Sequence, residues 1–180
     1  MGITIRWKGY TESKETAKQV IQYATFFAES LGWNVRGFTE KGYATQEEDI
    51  EFLTFYTKEQ VRELNIKTKD MEESTNIGIV INPPKPFETE SIVISFFNYK
   101  NKFWIKNFCK TQVFGEEELP NLVAHQIIIN LLKTIKETWI PNLEIYDEGE
   151  FYETNNFKVL SKNHGSNLAL INKAIKILTS

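Results

Sequence analysis

The sequence predicts an α+β protein in which helices pack on one face of a mainly antiparallel sheet, as a two-layer sandwich. Several short segments alternate apolar and polar residues, which is typical of half-buried strands. Three longer segments repeat apolar residues at helical spacing. Consecutive predicted strands follow one another through short connections, which favours antiparallel pairing.

Composition limits the class of protein. The chain has 180 residues, 41% of them hydrophobic and 13% aromatic, which predicts one globular domain over residues 1–180. The single cysteine excludes an internal disulfide and a zinc site built from several cysteines. The N-terminus does not resemble a signal peptide, and no apolar run reaches membrane-spanning length, so we expect a cytoplasmic protein that does not contact a membrane.

The first elements follow from periodicity. Residues 3–10 alternate as a strand, and residues 17–31 carry apolar side chains on one helical face. Thr11 is a candidate N-cap for that helix, and Gly32 is a natural stop. The sequence therefore predicts a β-α start.

The next region predicts two strands, 33–43 and 48–57, around a turn near Gly42. Thr57 and Gln60 have the spacing of a capping box, which predicts a short helix directly after the second strand. A polar loop precedes a strand that the prolines from residue 83 onward end, because proline cannot donate to a sheet ladder.

A hairpin is the clearest local element. Residues 91–97 and 102–114 are predicted strands, and a four-residue loop between them places Phe97 opposite Lys102. In this register one face of the hairpin is almost wholly apolar, so it is predicted to lie on the core.

Three elements complete the predicted order. A long helix covers residues 118–141, a short strand covers 143–148, and a terminal helix places apolar residues of 168–178 on one face. The long helix has a broad apolar arc, which predicts that much of its surface is buried.

The candidate catalytic residues are Cys109, His125 and Asp147, which could act as nucleophile, base and orienting acid in a hydrolase or acyl transferase. A reactive thiol needs access to solvent and a lowered pKa. Period-two alternation instead turns Cys109 toward the core, away from Lys106 and Lys110. The sequence therefore favours a packed thiol beside an ordinary helix, with catalysis as the alternative.

A metal site built from His125, His164, Asp147 and Glu148 is the weaker alternative. His125 and His164 lie far apart and lack the i, i+4 spacing of a helical ligand pair, so we predict no metal and no cofactor. Motifs typical of P-loop NTPases, dinucleotide-binding folds, serine hydrolases, zinc proteases and EF-hands are also missing from the sequence.

The even-numbered side of the second hairpin strand is the candidate binding surface. Between positions 98 and 115 the chain has lysines and no acid. The predicted surface alternates cations and rings: Lys102, Trp104, Lys106, Phe108 and Lys110. Three interpretations remain open: an ordinary amphipathic face, a contact with a protein partner or a second copy, and, less favoured because the chain is acidic, a nucleic acid or nucleotide site.

A second candidate surface lies in the acidic segment 144–153. It consists of Glu144, Asp147, Glu148 and Tyr152, which would suit a basic partner, although a solvated loop is the simpler interpretation. The sequence as a whole predicts a non-catalytic cytosolic protein that binds a protein partner through its Lys/aromatic sheet face.

Overall fold

The computed structural model describes residues 2–46, 53–112 and 118–165, and the predicted order of elements is confirmed within them. Its elements are β1 (Gly2–Thr11), α1 (Lys14–Ser30), β2 (Asn34–Gln46), β3 (Leu53–Thr57), α2 (Lys58–Glu63), β4 (Glu72–Asn82), β5 (Ile92–Tyr99), β6 (Lys102–Gln112), α3 (Glu118–Thr138), β7 (Glu144–Asp147) and α4 (Phe151–Thr154). A fifth helix, α5, occupies residues 157–165. The predicted terminal helix, 168–178, lies outside the described residues.

The strands form one seven-stranded sheet in the order β3-β2-β4-β5-β6-β1-β7. Every neighbouring pair runs antiparallel. The mixed α+β class and the antiparallel sheet are therefore confirmed. Within the described residues, no helix is both long and apolar enough to cross a bilayer.

The helix ends show how the chain reverses direction. The N-cap of α1 is Ser13, whose side chain accepts a hydrogen bond from the Thr16 N–H, so the predicted cap at Thr11 is wrong by two residues. Gly32 follows α1 with a φ of 72°, a conformation that glycine adopts without strain. The capping box of α2 forms as predicted.

The predicted turn near Gly42 is wrong. Strand β2 runs through this position, where Gly42 pairs with Ser74 on one side and Thr57 on the other. A Cβ on Gly42 would overlap the carbonyl oxygen of Tyr56. Glycine is needed here for the close approach of two backbones, and a turn and a close approach leave the same signal in a sequence.

The hairpin register also differs from the prediction, by two residues. Tyr99 pairs with Lys102 and Phe97 with Trp104, so a two-residue turn at 100–101 replaces the predicted four-residue loop. Both turn residues have positive φ, 48° and 58°, as the tightest hairpin turns require. Because the shift is an even number, each side chain stays on its predicted face.

Two groups of buried side chains lie on either side of the central strands. The larger group joins α1 and α3 to strands β1, β4, β5 and β6, and includes Ile105 and Cys109. The smaller group joins Ala44, Leu53, Phe97 and Tyr99, with Phe55 and Trp104 packed against it.

The sheet is curled. Rings of Phe55 in β3 and Phe97 in β5 lie 5.7 Å apart, although two strands separate β3 from β5 in the sheet. A flat sheet would hold these strands roughly 14 Å apart. The curl therefore brings the β3 edge over one face of the central strands.

Candidate binding surface

Strand β6 separates the predicted catalytic residues from the predicted binding residues. Successive side chains of a strand point to opposite faces. Cys109 and Thr111 are fully buried, whereas Phe108, the residue directly before Cys109, is 51% exposed. Cys109 therefore points toward the core, as the sequence predicts.

On the buried side, His125 uses both ring nitrogens. Its Nδ1 lies 2.9 Å from the Thr111 hydroxyl, and its Nε2 lies 2.8 Å from Asp147 Oδ1. All three side chains are almost completely removed from solvent. The helix α3 is thereby fixed to the ends of β6 and β7 through one imidazole.

Asp147 accepts four hydrogen bonds. His125 Nε2 and the Gly149 N–H meet Oδ1, while the N–H groups of Phe151 and Tyr152 meet Oδ2. Burial alone raises the pKa of this carboxyl, but the hydrogen bond and charge of His125, with the Tyr152 and Gly149 N–H groups, outweigh it and hold the pKa below its usual value. The carboxylate therefore organises the turn that leads into α4.

Gly149 completes this cluster through its lack of a side chain. A Cβ there would lie 2.6 Å from Leu160 Cδ1 and 3.0 Å from His125 Nε2. Packing around the histidine and aspartate is consequently tight, with no room for a substrate between them.

Cys109 does not join His125 and Asp147. Within the described residues no hydrogen bond links its thiol to the imidazole, whose nitrogens are occupied by Thr111 and Asp147. Burial, and then the charges of Glu90 and Asp147, raise the pKa of Cys109 to about 12. Of the three candidate catalytic residues the fold brings together two. Thr111, the partner that sequence reasoning missed, has no distinguishing sequence signal.

The histidines do not form a metal centre in the part of the chain that is described. His164 Nε2 lies 2.9 Å from the carbonyl oxygen of Gln112. No group of three or more His, Cys, Asp or Glu side chains there is arranged to hold a metal ion.

The second candidate surface is divided by the fold. Asp147 is buried, while the Glu148 carboxylate accepts a hydrogen bond from the Thr4 N–H at 2.8 Å. Tyr152 is half-buried, and the ammonium groups of Lys133 and Lys136 lie 5.4 and 5.7 Å from its ring centre. Of the four predicted residues, only Glu144 and Glu148 are exposed, and both lie on β7 or directly after it.

The Lys/aromatic face of β6 is likewise divided, and its first half is covered. The rings of Trp104 and Tyr10 lie 4.9 Å apart, and Trp104 Nε1 donates to the Tyr99 carbonyl oxygen. Lys102 Nζ lies 3.9 Å from the centre of the Tyr10 ring, a favourable cation–π distance. Lys102 and Trp104, two of the five predicted binding residues, are therefore mostly used within the chain.

Lys106 marks the boundary of the covered half. Its Nζ donates to the Leu53 carbonyl oxygen at 2.9 Å, because the curl brings β3 over β6. Partial burial, and then the charge of Lys8, lower the pKa of Lys106. Positive charges are thus close enough on this face to repel each other.

Beyond Lys106 the face is open and extends across three strands. Arg6 of β1 pairs with Phe108 of β6 on one side and with Tyr146 of β7 on the other. Phe108 is 51% exposed and Tyr146 58% exposed, and Arg6 between them is exposed. We call this group, with Lys8 and Lys110 beside it, the open surface.

The charge of the open surface is unbalanced. Among the described residues, no carboxylate lies within ion-pair distance of Arg6, Lys8 or Lys110. Glu144 pairs with Lys8 in the strand register without forming an ion pair, and Glu148 lies at the edge. Exposed rings beside unpaired cations are typical of interaction surfaces.

Two of the five members of this surface, Phe108 and Lys110, were among the binding residues predicted from the sequence. Arg6 and Lys8 stand at the polar positions of the alternating segment 3–10, so their outward orientation could have been predicted. Their position beside Phe108 depends on β1 pairing with β6 across about a hundred residues of chain, which no local pattern indicates.

Comparison with known proteins adds no functional information. No protein-family model matches this chain, and neither the curated proteins nor the solved structures contain a significant match to it. Any function must therefore be argued from the surface and the buried cluster themselves.

Proposed function

We propose that this protein is a non-catalytic cytosolic binding protein whose open surface contacts an acidic surface of a protein partner. The observation that carries the proposal is Arg6 held in register between two rings, Phe108 and Tyr146, that are each more than half exposed. Aromatic residues and arginine are the residue types most enriched at the energetic centres of protein interfaces.

Charge selects the kind of partner. Three cations of the open surface have no ion-pair partner in the described part of the chain, although the whole chain has a net charge of −3. An acidic partner would neutralise these cations and would be steered toward this surface rather than toward the rest of the molecule. A basic partner would be repelled from it.

The layer arrangement supports an accessible surface. We infer that the helices cover the Cys109 side of β6 as one layer of a two-layer sandwich, because α1 and α3 share a buried cluster with Ile105 and Cys109. Among the described residues, the buried cluster on the opposite side contains only strand residues, which agrees with the exposure of the Phe108 ring.

Catalysis is the less favoured function. A general base needs a ring nitrogen that can reach a substrate, and both nitrogens of His125 are engaged by buried groups. The thiol of Cys109 is buried and protonated at neutral pH, so it lacks the nucleophilic form.

The test is site-specific photo-crosslinking in the cells that make the protein. We expect a benzophenone amino acid at position 108 or 146 to form one defined adduct, whose cross-linked peptide maps to an acidic segment of another protein. The matched control is position 26, because Phe26 is 71% exposed and lies on α1.

Charge reversal supplies the second control. With the purified partner, Arg6→Glu should weaken binding by about tenfold or more, whereas Arg36→Glu, an exposed arginine of β2, should not. Equal adducts at positions 26, 108 and 146 would contradict the proposal. A nuclease-sensitive adduct, or one with a second copy of this chain, would replace the acidic partner with a nucleic acid or with self-association.

A further inference from the structure

We propose that the protein has a second, separate binding site for a small organic anion, specifically a phosphate ester that carries a flat ring. The site is a cavity of about 530 Å³ beside the start of α1 and of α2, over strands β2, β4, β5 and β6. Cavities of this size accommodate ligands as large as a nucleotide or a drug.

The rim of the cavity is cationic. Lys14 begins α1, Lys41 lies in β2, and Lys58 begins α2, so three separate elements bring ammonium groups to one opening. All three lysines are exposed, and in the described residues none of them has a carboxylate within ion-pair distance. Among the described residues that line the cavity, Glu73 is the single acid.

This balance indicates a ligand with more than one negative charge. Among the described lining residues, three lysines against one glutamate leave an excess of two positive charges, in a chain whose net charge is −3. A phosphate ester carries between one and two negative charges at neutral pH and offers several acceptor oxygens, which lysine ammonium groups can meet from different directions.

The floor of the cavity is apolar and aromatic. Ile77 and Phe103, both half-buried, line it, and two exposed polar side chains, Thr75 and Asn98, stand beside them. A flat ring can pack on these side chains and displace water, while the amide of Asn98 can donate to it or accept from it. An inorganic anion would use the rim and leave this floor empty.

The cavity and the open surface are independent of each other. Phe103 lines the cavity, whereas its neighbour Trp104 belongs to the opposite face of β6. No residue of the open surface lines the cavity. The two proposals can therefore succeed or fail separately.

The experiment is an NMR titration of the ¹⁵N-labelled full chain with phenyl phosphate, inorganic phosphate and phenol as separate probes. We expect phenyl phosphate to shift the amide signals of residues around the cavity, with Thr75 and Asn98 among them, and to bind more tightly than either fragment. Equal affinity for inorganic phosphate would overturn the ring contact, and shifts centred elsewhere would overturn the site.

Variants test the rim and the floor separately. Lys14→Gln, Lys41→Gln and Lys58→Gln should each weaken phenyl phosphate binding by about two- to fivefold, the upper part of the range for one exposed ion pair, while Lys69→Gln, an exposed loop lysine, should not. Thr75→Trp should abolish binding by filling the cavity with all three lysines kept. Unchanged affinity in these variants would overturn the proposal. Arg6→Glu, on the open surface, should leave the affinity for phenyl phosphate unaltered.

Discussion

The two sides of strand β6 differ in whether their functional groups are buried and hydrogen-bonded within the chain or exposed to solvent. On one side Thr111 reaches His125 and Asp147, and every one of these polar groups is buried and hydrogen-bonded within the chain. On the other side Phe108 is half exposed beside Arg6, which has no ion-pair partner among the described residues.

The difference shows that reactive residue types do not by themselves mark a site. A histidine, an aspartate and a cysteine near one another suggest catalysis. A buried polar group, however, needs hydrogen-bond partners within the protein, and a group whose hydrogen bonds are all used there cannot act on a substrate. Exposed groups that have no partner within the chain are the ones that a binding partner can reach.

The largest expected effect concerns access to Cys109. In the native protein a charged thiol reagent should label Cys109 at least on the order of a thousandfold more slowly than in urea, because reaction requires opening of the core. The burial of the thiol and its pKa of about 12 both oppose reaction. The rate of absorbance change on labelling measures this ratio.

Rapid native labelling would make the two sides of β6 equally accessible and would revive the catalytic alternative. A Cys109→Ser variant is the background control, since the chain has no other cysteine.

Removal of the buried carboxylate should give the next largest effect. Asp147→Ala leaves His125 and three backbone N–H groups without their acceptor, so we expect a loss of about 3–5 kcal/mol in the free energy of unfolding. Urea unfolding followed by tryptophan fluorescence measures it.

The matched control is Glu144→Ala, an exposed acid on the same strand, with an expected change of no more than about 0.5 kcal/mol. Similar losses in the two variants would mean that Asp147 is not the centre of the cluster.

The pH dependence of stability follows from the same carboxylate. Because its pKa is lower in the folded chain than in the unfolded chain, its contribution is complete above the ordinary value of 3.8 and is lost as pH falls through the folded pKa. As the pH falls below the ordinary value of 3.8, the free energy of unfolding should therefore fall, by at most about 1.4 kcal/mol per pH unit from this one group.

Urea midpoints measured from pH 2 to 7 test this expectation. The Asp147→Asn variant should show a shallower fall below pH 4 than the natural chain. Parallel curves for the two proteins would assign the acid sensitivity to other carboxyls.

The smallest expected effect is on the open surface. Phe108→Ser should change the free energy of unfolding by no more than about 0.5 kcal/mol, because the ring is already half exposed. Phe96→Ser, at a fully buried position of β5, should cost about 3 kcal/mol or more.

A large loss on Phe108→Ser would mean that this ring is structural, and the contrast between the two sides of β6 would disappear. The same urea titrations supply the measurement, with circular dichroism as the check on folding.

Much of the fold could be predicted because it depends on local patterns. Alternation in residues 3–10, helical spacing in 17–31 and the capping box at Thr57 each fixed an element correctly. The predicted turn at Gly42 was wrong because a glycine can serve either a turn or a close approach of two backbones. The predicted hairpin register was wrong because a loop of two residues and a loop of four residues leave nearly the same sequence pattern.

The sites were less predictable. Sequence placed Phe108 and Cys109 on opposite sides of β6 but could not show that curling covers Trp104 and Lys106, since the contact with Leu53 comes from a strand at the far edge of the sheet. The cavity at Lys14 was missed altogether, because its lysines come from three separate elements.

By itself, then, the sequence determined which side chains of each element share a face, because backbone geometry fixes periods of 2.0 and 3.6 residues. Tertiary structure alone decided which faces meet: that β1 lies between β6 and β7, that His125 reaches Thr111 and Asp147, and that Arg6 stands between Phe108 and Tyr146. Those pairings are set by the packing of the whole sheet, whose contacts join residues far apart in the chain.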